Sequence, residues 1–314
     1  CSIIQVRLVS SGLESMKGTT CEQQLEISPR SQILYQRLVY SHFRNLHTSE
    51  GSMEFKFIQY EKRDRVAYVT INRPERLNAL HPPASRELRE AFLDFRDDPD
   101  TLVSILTGAG DRAFCTGNDL KYHVQHIQPG ELWPEADTTV FGGITDDFEC
   151  WKPIIAAVNG YAMGGGLELA LACDIIIASE GAQLGLPESR VGLVATAGGV
   201  HRLPRQIPLK IAMGMLLTGR PMTSRDAHSW GLVNEVVPLT KLAAAAERWA
   251  VEIRDCAPLS VRASKQMVMS GMGMPVNQAM ETAFSELDNA MASADFVEGP
   301  RAFSEKRKPK WSRG

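Results

Sequence analysis

The chain has 314 residues, of which 44% are hydrophobic and 23% charged, and its net charge is −3. This composition is typical of a globular protein and argues against a nucleic-acid-binding surface. No apolar run reaches the ~20 residues of a membrane span. The six scattered cysteines include no Cys-x-x-Cys pair, which indicates reduced thiols rather than a disulfide scaffold or a zinc site.

The first 52 residues differ in character from the rest. Residues 27–49 contain no Asp or Glu, and three arginines recur there every seven residues, namely Arg30, Arg37 and Arg44. An Arg-rich, acid-poor amphipathic segment is typical of a mitochondrial presequence. We therefore expect an N-terminal extension over residues 1–52, a mature start at about residues 46–53, and a location in the mitochondrial matrix. The alternative is a disordered extension without an address and a cytoplasmic protein.

The body of the chain alternates strands with helices and ends in helices alone. β-branched and apolar runs predict strands over 66–71, 103–107, 154–158, 174–179 and 235–237. Helical periodicity and caps predict helices over 85–95, 198–203, 209–217, 223–231, 239–256, 258–271, 276–293 and 295–305. The pattern predicts a mixed α/β fold with a helical C-terminal part.

One stretch stands out as a candidate site. The buried strand over 154–158 leads into Gly164, Gly165 and Gly166, and Glu168 follows on a helical pattern. A glycine-rich turn into a helix leaves backbone N–H groups unpaired at the helix N-terminus, where they stabilise negative charge. In catalysis such a turn makes half of an oxyanion hole. Taken alone, the glycines fit a tight crossing and Glu168 fits a favourable helix-start acid.

A second acid and a second junction complete the candidate site. Glu188 lies 20 residues beyond Glu168, in a Pro-containing turn. Residues 113–120 repeat the strand, glycine turn and helix start, with Asp119 as a helix N-cap. No nucleophile elbow, phosphate loop or H-E-x-x-H motif occurs. His123 and His126 lack a third ligand and fit surface histidines, so we predict no metal site.

Several motifs together resemble the crotonase (enoyl-CoA hydratase/isomerase) family over residues 53–311. The most specific are residues 153–166, with the triple glycine, and Leu186-Pro187-Glu188. Residues 72–80, 117–121 and 298–307 are also similar to family motifs. The resemblance implies an α/β fold, a ClpP/crotonase-like spiral of β-β-α units over 53–250. It also implies a C-terminal helical region over 251–314 that forms trimers or dimers of trimers.

The family's functional residues map onto this sequence. The resemblance implies that the thioester oxygen lies between the N–H groups of Thr116 and Gly165, and that Glu168 and Glu188 are the catalytic pair. It implies coenzyme A and substrate contacts at Asn78, Ala79, Leu80, Gly117, Asn118, Asp119, Gly164, Phe303 and Lys306. Coenzyme A is part of the substrate, so no separate cofactor is expected. Ala195 and Thr196 stand where family hydratases usually have Pro-Gly or Pro-Asp.

Three functions remain open at this point. Both glutamates favour an enoyl-CoA hydratase. Five motifs, over 95–99, 107–110, 142–145, 198–204 and 305–311, resemble the carnitinyl-CoA dehydratase subgroup, and most of them lie outside the reacting centre. The cationic substrate of that subgroup would need an aromatic face or an acid. The loop over 129–145 offers Glu131, Trp133, Glu135, Asp137 and Phe141 for that purpose. A catalytically inactive binding protein of the same fold is the alternative of another class.

Overall fold

The computed structural model describes residues 54–126 and 140–312. The predicted extension over 1–52 lies outside the described residues, with Cys1 and Cys21. So do four of the five loop residues just named, Glu131, Trp133, Glu135 and Asp137. The other four cysteines are free thiols, buried at Cys115, Cys150 and Cys173 and exposed at Cys256. No helix of the described residues is long and apolar enough to cross a membrane.

Two sheets form the centre of the molecule. The strands of the described residues are β1 (Ile58–Arg63), β2 (Val66–Ile71), β3 (Val103–Gly108), β4 (Ala113–Cys115), β5 (Ile154–Val158), β6 (Tyr161–Met163), β7 (Ile175–Ser179), β8 (Gln183–Gly185), β9 (Met222–Thr223) and β10 (Glu235–Val237). The larger sheet has the order β1-β2-β3-β5-β7-β10, and the smaller has the order β4-β6-β8-β9. β1 and β9 pair antiparallel with their neighbours, and the other pairs are parallel.

The helices of the described residues connect and cover these sheets. They are α1 (Pro82–Asp97), α2 (Leu120–His126), α3 (Gly165–Leu171), α4 (Gly199–Gln206), α5 (Leu209–Thr218), α6 (Ser224–Ser229), α7 (Leu242–Arg254), α8 (Pro258–Gly271), α9 (Val276–Glu281), α10 (Ser285–Ala292) and α11 (Asp295–Ser304). Helices alone follow β10. Thr223 is the N-cap of α6, and its Oγ1 accepts the Asp226 N–H at 3.1 Å.

The connections repeat one pattern three times. A strand of the larger sheet (β3, β5 or β7) leads to a strand of the smaller sheet (β4, β6 or β8), and a helix follows. The third helix is a single 3₁₀ turn, Glu188–Val191. This succession is the spiral of β-β-α units, so the predicted fold class is confirmed. The junctions that follow β4, β6 and β8 lie at the same end of the smaller sheet, because these three strands are parallel.

The central strands of the larger sheet are buried on both faces. On β5, Ile154, Ala156 and Val158 belong to one apolar cluster, while Ile155 and Ala157 belong to another on the opposite face. α1 and α3 contribute to the first cluster and α7 to the second. A central parallel strand covered on both sides has a continuous apolar sequence, which is why this strand was predicted correctly.

The structure differs from the sequence predictions at three places. β1 was not predicted, because its alternating polar residues lie on a half-exposed edge strand that joins β2 through Asp64 and Arg65, both at positive φ. Of the smaller sheet only β4 was predicted, because its strands have two or three residues, too few for a periodic signal. The single helix predicted over 276–293 is wrong: the chain leaves the helix at Thr282 (ψ 132°), which allows Phe284 to become buried.

Candidate active site

The triple-glycine turn places a backbone N–H donor at the centre of the site. Gly164 precedes α3 with φ 56°, and Gly165 is its first residue, so the Gly165 N–H has no acceptor within the helix. A Cβ at Gly166 would lie 1.9 Å from the carbonyl oxygen of Cys115. Only glycine therefore permits α3 to lie directly against the end of β4. This contact aligns the two junctions predicted from the sequence.

The second predicted donor lies beside the first. Gly117, at φ 84°, approaches so closely that its Cβ, if present, would be 2.8 Å from the nitrogen of Gly165. Thr116 precedes it at the end of β4 and is held by a hydrogen bond of 3.1 Å from its hydroxyl to the Leu77 carbonyl. The fold thus brings the backbones of Thr116 and Gly165 together, although they lie far apart in the sequence. Thr116 itself is half-buried.

Glu168 is an almost fully buried acid one turn into α3. It is only 4% exposed, and its Oε1 accepts the Gly199 N–H at 2.8 Å. Burial raises the pKa of Glu168 to about 7, and the Gly199 N–H opposes this rise. The charge of Glu188 raises the pKa further, and that of Arg202 lowers it. A carboxyl group in this environment exchanges protons near neutral pH, as a general acid or base must.

Glu188 faces the same turn from another element. It begins the 3₁₀ helix Glu188–Val191, and its Oε1 lies 3.1 Å from the position that a Cβ on Gly164 would take. Burial raises the pKa of Glu188 as well. Its Oε2 is buried and has no hydrogen-bond partner among the described residues. An unsatisfied carboxylate oxygen next to a donor turn is a suitable position for a water molecule or a reacting group.

The unusual turn around Ala195 supports Glu168. Ala195 is 3% exposed, and its Cβ lies 2.9 Å from the position that a Cβ on Gly199 would take. Gly199 donates to Glu168, so Ala195 packs against the residue that orients this carboxyl group. The half-buried Arg202 donates to the Ala197 carbonyl at 3.3 Å. The departure from the family pattern at 195 and 196 therefore lies directly behind this acid.

The predicted coenzyme A loops are joined through their backbones. The Leu80 N–H donates to Gly117 at 2.8 Å, and the Asp119 N–H donates to Leu80 at 2.8 Å, so the two loops form a bridge at Leu80 and Asn118. Ala79 is 8% exposed beside them. These predicted residues do lie together. The bridge brings them to the junction that carries Thr116.

Two of the predicted contact residues use their side chains within the protein. Asn78 is fully buried, and its amide group donates to the carbonyls of Ala109 at 3.0 Å and Ala113 at 2.7 Å. Asp119 caps α2 through the Tyr122 N–H and pairs with Arg73 Nη2 at 3.0 Å. Both side chains therefore hold the loops in place. Arg73 was missed, because sequence spacing could not show that it reaches Asp119.

The remaining predicted contacts lie on the surface. Phe303 is 88% exposed in the last turn of α11, and Lys306 is exposed two residues beyond the helix. α11 packs on α10 in the helical part.

Phe141 is a site residue that sequence reasoning named only as one of five loop candidates. It lies in the turn Phe141–Gly143, and its ring atom Cζ is 2.4 Å from the position that a Cβ on Gly165 would take. The ring therefore covers the α-carbon of the donor glycine. In the sequence, only the glycines before α3 indicated, and only indirectly, that another residue packs closely against Gly165.

These features define a site of one buried acid, Glu168, one half-buried acid, Glu188, and two backbone donors on a β-β-α spiral. The sequence profile of the family described as enoyl-CoA hydratase/isomerase matches residues 61–314. The chain is 42% identical over 255 residues to a carnitinyl-CoA dehydratase of Proteus mirabilis, covering 79% of this chain and 95% of that one. It is 42% identical over 252 residues to an (E)-benzylidenesuccinyl-CoA hydratase of Thauera aromatica, covering 80% and 97%.

Solved structures agree with this result. The enoyl-CoA hydratase of Mycobacterium tuberculosis H37Rv superposes with a TM-score of 0.76 at 37% identity, covering 82% of this chain and 99% of that one. The chain therefore belongs to the enoyl-CoA hydratase/isomerase family. It is an enzyme of the hydro-lyase class.

Proposed function

We propose that this enzyme adds water reversibly to the double bond of a trans-2-enoyl-CoA thioester, with Glu168 and Glu188 as its catalytic pair. The observation that carries the proposal is the pair of acids at the Gly164–Gly165 turn, the buried Glu168 and the half-buried Glu188, both with a raised pKa. Two adjacent acids in a water-poor site favour a state in which one is protonated and the other ionised.

In the proposed step, the carboxylate takes a proton from water while the water oxygen forms a bond to C3. The π electrons of the double bond move through C2 to the thioester oxygen. The N–H groups of Thr116 and Gly165 stabilise the resulting enolate, each by a factor of roughly 10²–10³ in rate. The electron pair then returns to C2, which takes a proton from the carboxylic acid. No separate cofactor takes part, because coenzyme A enters with the substrate.

For coenzyme A we propose the joined loops at residues 78–80 and 117–119, with Phe303 and Lys306 reaching it from the helical end. Gly164 lines the thioester position beside Gly165. The buried side chains of Asn78 and Asp119 support this role indirectly, because they fix the loop backbones. Coenzyme A contacts would then come mainly from backbone groups of these loops.

The substitutions Glu168→Gln and Glu188→Gln test the proposal. Each should lower kcat for crotonyl-CoA hydration by two or more orders of magnitude, because each removes a proton-transfer group. Loss of the 2-enoyl thioester absorbance reports the rate, and Glu90→Gln on the exposed face of α1 is the matched control. Near wild-type kcat in either variant would refute the catalytic pair. Absence of turnover by the wild type with any enoyl-CoA would favour the inactive binding protein.

Carnitinyl-CoA dehydratase activity is the second candidate, and the relative from Proteus mirabilis supports it. Side-by-side kcat/KM values on crotonyl-CoA and crotonobetainyl-CoA distinguish the two. We expect crotonyl-CoA to be used at least as well. A preference of a hundredfold or more for the cationic substrate, about 2.7 kcal/mol, would reverse the choice.

We also propose that the chain assembles as a trimer or a dimer of trimers through its C-terminal helices. Large apolar side chains are exposed there, including Val268 (58%), Met272 (59%), Val276 (73%), Met280 (80%) and Phe296 (58%). Apolar exposure on this scale is typical of a protein–protein interface. Light scattering coupled to size-exclusion chromatography should give three or six times the monomer mass, and a monomer at micromolar concentration would contradict the proposal.

For location we propose the mitochondrial matrix, on the composition of residues 27–49. N-terminal sequencing of the native protein should find a start at about residues 46–53. A native protein outside the organelle that retains residue 16 would refute this.

A further inference from the structure

The geometry points to Phe141 as a specificity-determining residue that excludes acyl groups branched at C2. This inference rests on the proposed hydratase function, because it takes Gly165 as a donor to the thioester oxygen. The ring of Phe141 occupies the space beside Gly165 that a side chain would otherwise fill: Cζ and Cε1 lie 2.4 and 2.5 Å from the ideal Cβ position. The ring edge is thus in van der Waals contact with the donor residue.

The acyl group must pass close to this ring. An oxygen accepting the Gly165 N–H would lie about 2.9 Å from the nitrogen. The thioester carbon is one covalent bond from that oxygen, and C2 is one bond further. A substituent on C2 therefore comes near the Phe141 ring, whereas a linear chain can extend away from it.

The turn that carries the ring is held firmly in place. Its two glycines pack where no Cβ would fit. A Cβ on Gly142 would lie 2.7 Å from Leu169 Cδ1, and a Cβ on Gly143 would lie 2.6 Å from the backbone nitrogen of Arg89. Arg89 Nη1 donates to the Gly143 carbonyl at 2.9 Å.

Hydrogen bonds hold both polar groups of the peptide bond that follows the ring-bearing residue. The Thr145 hydroxyl donates to the Phe141 carbonyl at 2.7 Å, and the Gly142 N–H donates to Ser85 Oγ at 3.3 Å. α1 thus anchors the turn, and a backbone shift that would move the ring away from Gly165 would break these contacts. A fixed ring sets a size limit.

The test compares two substrates in matched variants. We would measure kcat/KM for crotonyl-CoA and for 2-methylcrotonyl-CoA in the wild type, Phe141→Ala, Phe141→Leu and Phe148→Ala. Phe148 is the control, because it is a half-buried phenylalanine of the same segment whose ring packs on Phe92 instead, at 6.0 Å between centroids. One methyl group in an apolar pocket changes specificity by about 10–200-fold.

We expect Phe141→Ala to raise the ratio of 2-methylcrotonyl-CoA to crotonyl-CoA at least tenfold, Phe141→Leu to raise it less, and Phe148→Ala to leave it within twofold. A change below threefold in folded Phe141 variants, or an equal change in Phe148→Ala, would overturn the inference. If Phe141→Ala does not fold, Phe141→Leu decides, with a threefold rise as the threshold.

Binding of unreactive thioesters separates this inference from the proposed function. Calorimetric Kd values for butyryl-CoA and 2-methylbutyryl-CoA require no turnover. If the wild type hydrates no enoyl-CoA but Phe141→Ala still shifts the Kd ratio tenfold, the proposed function fails and the size limit stands. If crotonyl-CoA is hydrated and neither ratio changes, only the size limit fails.

Discussion

Replacing Glu168 by glutamine should stabilise the folded enzyme at alkaline pH and much less at acidic pH. Burial raises the pKa of this carboxyl group from 4.5 to about 7. The folded state therefore holds the proton more tightly than the unfolded state does. Stability from this group is fully present below pH 4.5 and is lost as pH rises through 7.

The magnitude follows from the two pKa values. One pKa unit corresponds to about 1.4 kcal/mol, so ionised Glu168 costs the folded state about 3 kcal/mol at pH 8. At pH 5 the same group costs less than about 1 kcal/mol, because it is still protonated in the folded enzyme. The glutamine side chain of the variant would stay neutral at both pH values and would still accept the Gly199 N–H, so the cost disappears.

The assay is thermal unfolding of the wild type and Glu168→Gln at pH 5 and pH 8, at one protein concentration. For a chain of this size, 1 kcal/mol shifts Tm by roughly 2–4 °C. We expect the variant to gain at least 4 °C over the wild type at pH 8 and clearly less at pH 5, with Glu90→Gln unchanged at both. An equal gain at both pH values, or a loss at pH 8, would refute the buried-acid reasoning.

Four further outcomes follow from the structure. Gly166→Ala should lower Tm by several degrees, because the added Cβ would lie 1.9 Å from a backbone oxygen, and an unchanged Tm would contradict this. Gly165→Val should abolish crotonyl-CoA hydration, because its Cβ would lie 2.4 Å from Phe141 Cζ and the donor N–H would be displaced, and a folded variant with unimpaired turnover would contradict this. Asp119→Asn should lower the free energy of unfolding in urea by about 3 kcal/mol, because Arg73 would keep a buried charge without its partner. A decrease of less than about 0.5 kcal/mol would contradict this. The pH profile of kcat/KM should bend near pH 7, where Glu168 titrates, and a flat profile from about pH 6 to 8.5 would contradict the assigned role.

The site was predicted in its parts but not in its arrangement. Glu168, Glu188 and the triple glycine stand out by residue type and by their resemblance to family motifs. The burial that raises the pKa of both acids, and the Gly199 N–H that opposes this rise at Glu168, come from elements far away in the sequence. A pKa responds to burial and to neighbouring charges, and neither is visible in a linear pattern.

Asn78 and Phe141 are two residues whose side-chain contacts could not be predicted from the sequence. Asn78 was predicted as a contact for coenzyme A, yet its amide group joins the backbones of Ala109 and Ala113. Phe141 was one of five loop candidates, and only the fold places its ring against Gly165. Local sequence does not determine what either side chain contacts, because both contacts depend on chain segments that are distant in the sequence.

The sequence by itself determined the strands of the larger sheet from β2 onward, the positions of most helices and the identity of the two candidate acids. A doubly buried strand must be apolar along its whole length, and helix caps and glycine turns act over a few residues, so these features are local. Only the tertiary structure decided the smaller sheet beyond β4, the break before Phe284 and the approach of Gly117 to Gly165. Those features arise from packing between segments that are distant in the sequence. This packing stabilises strands that are too short, and conformations that are too weakly preferred, to be predicted locally.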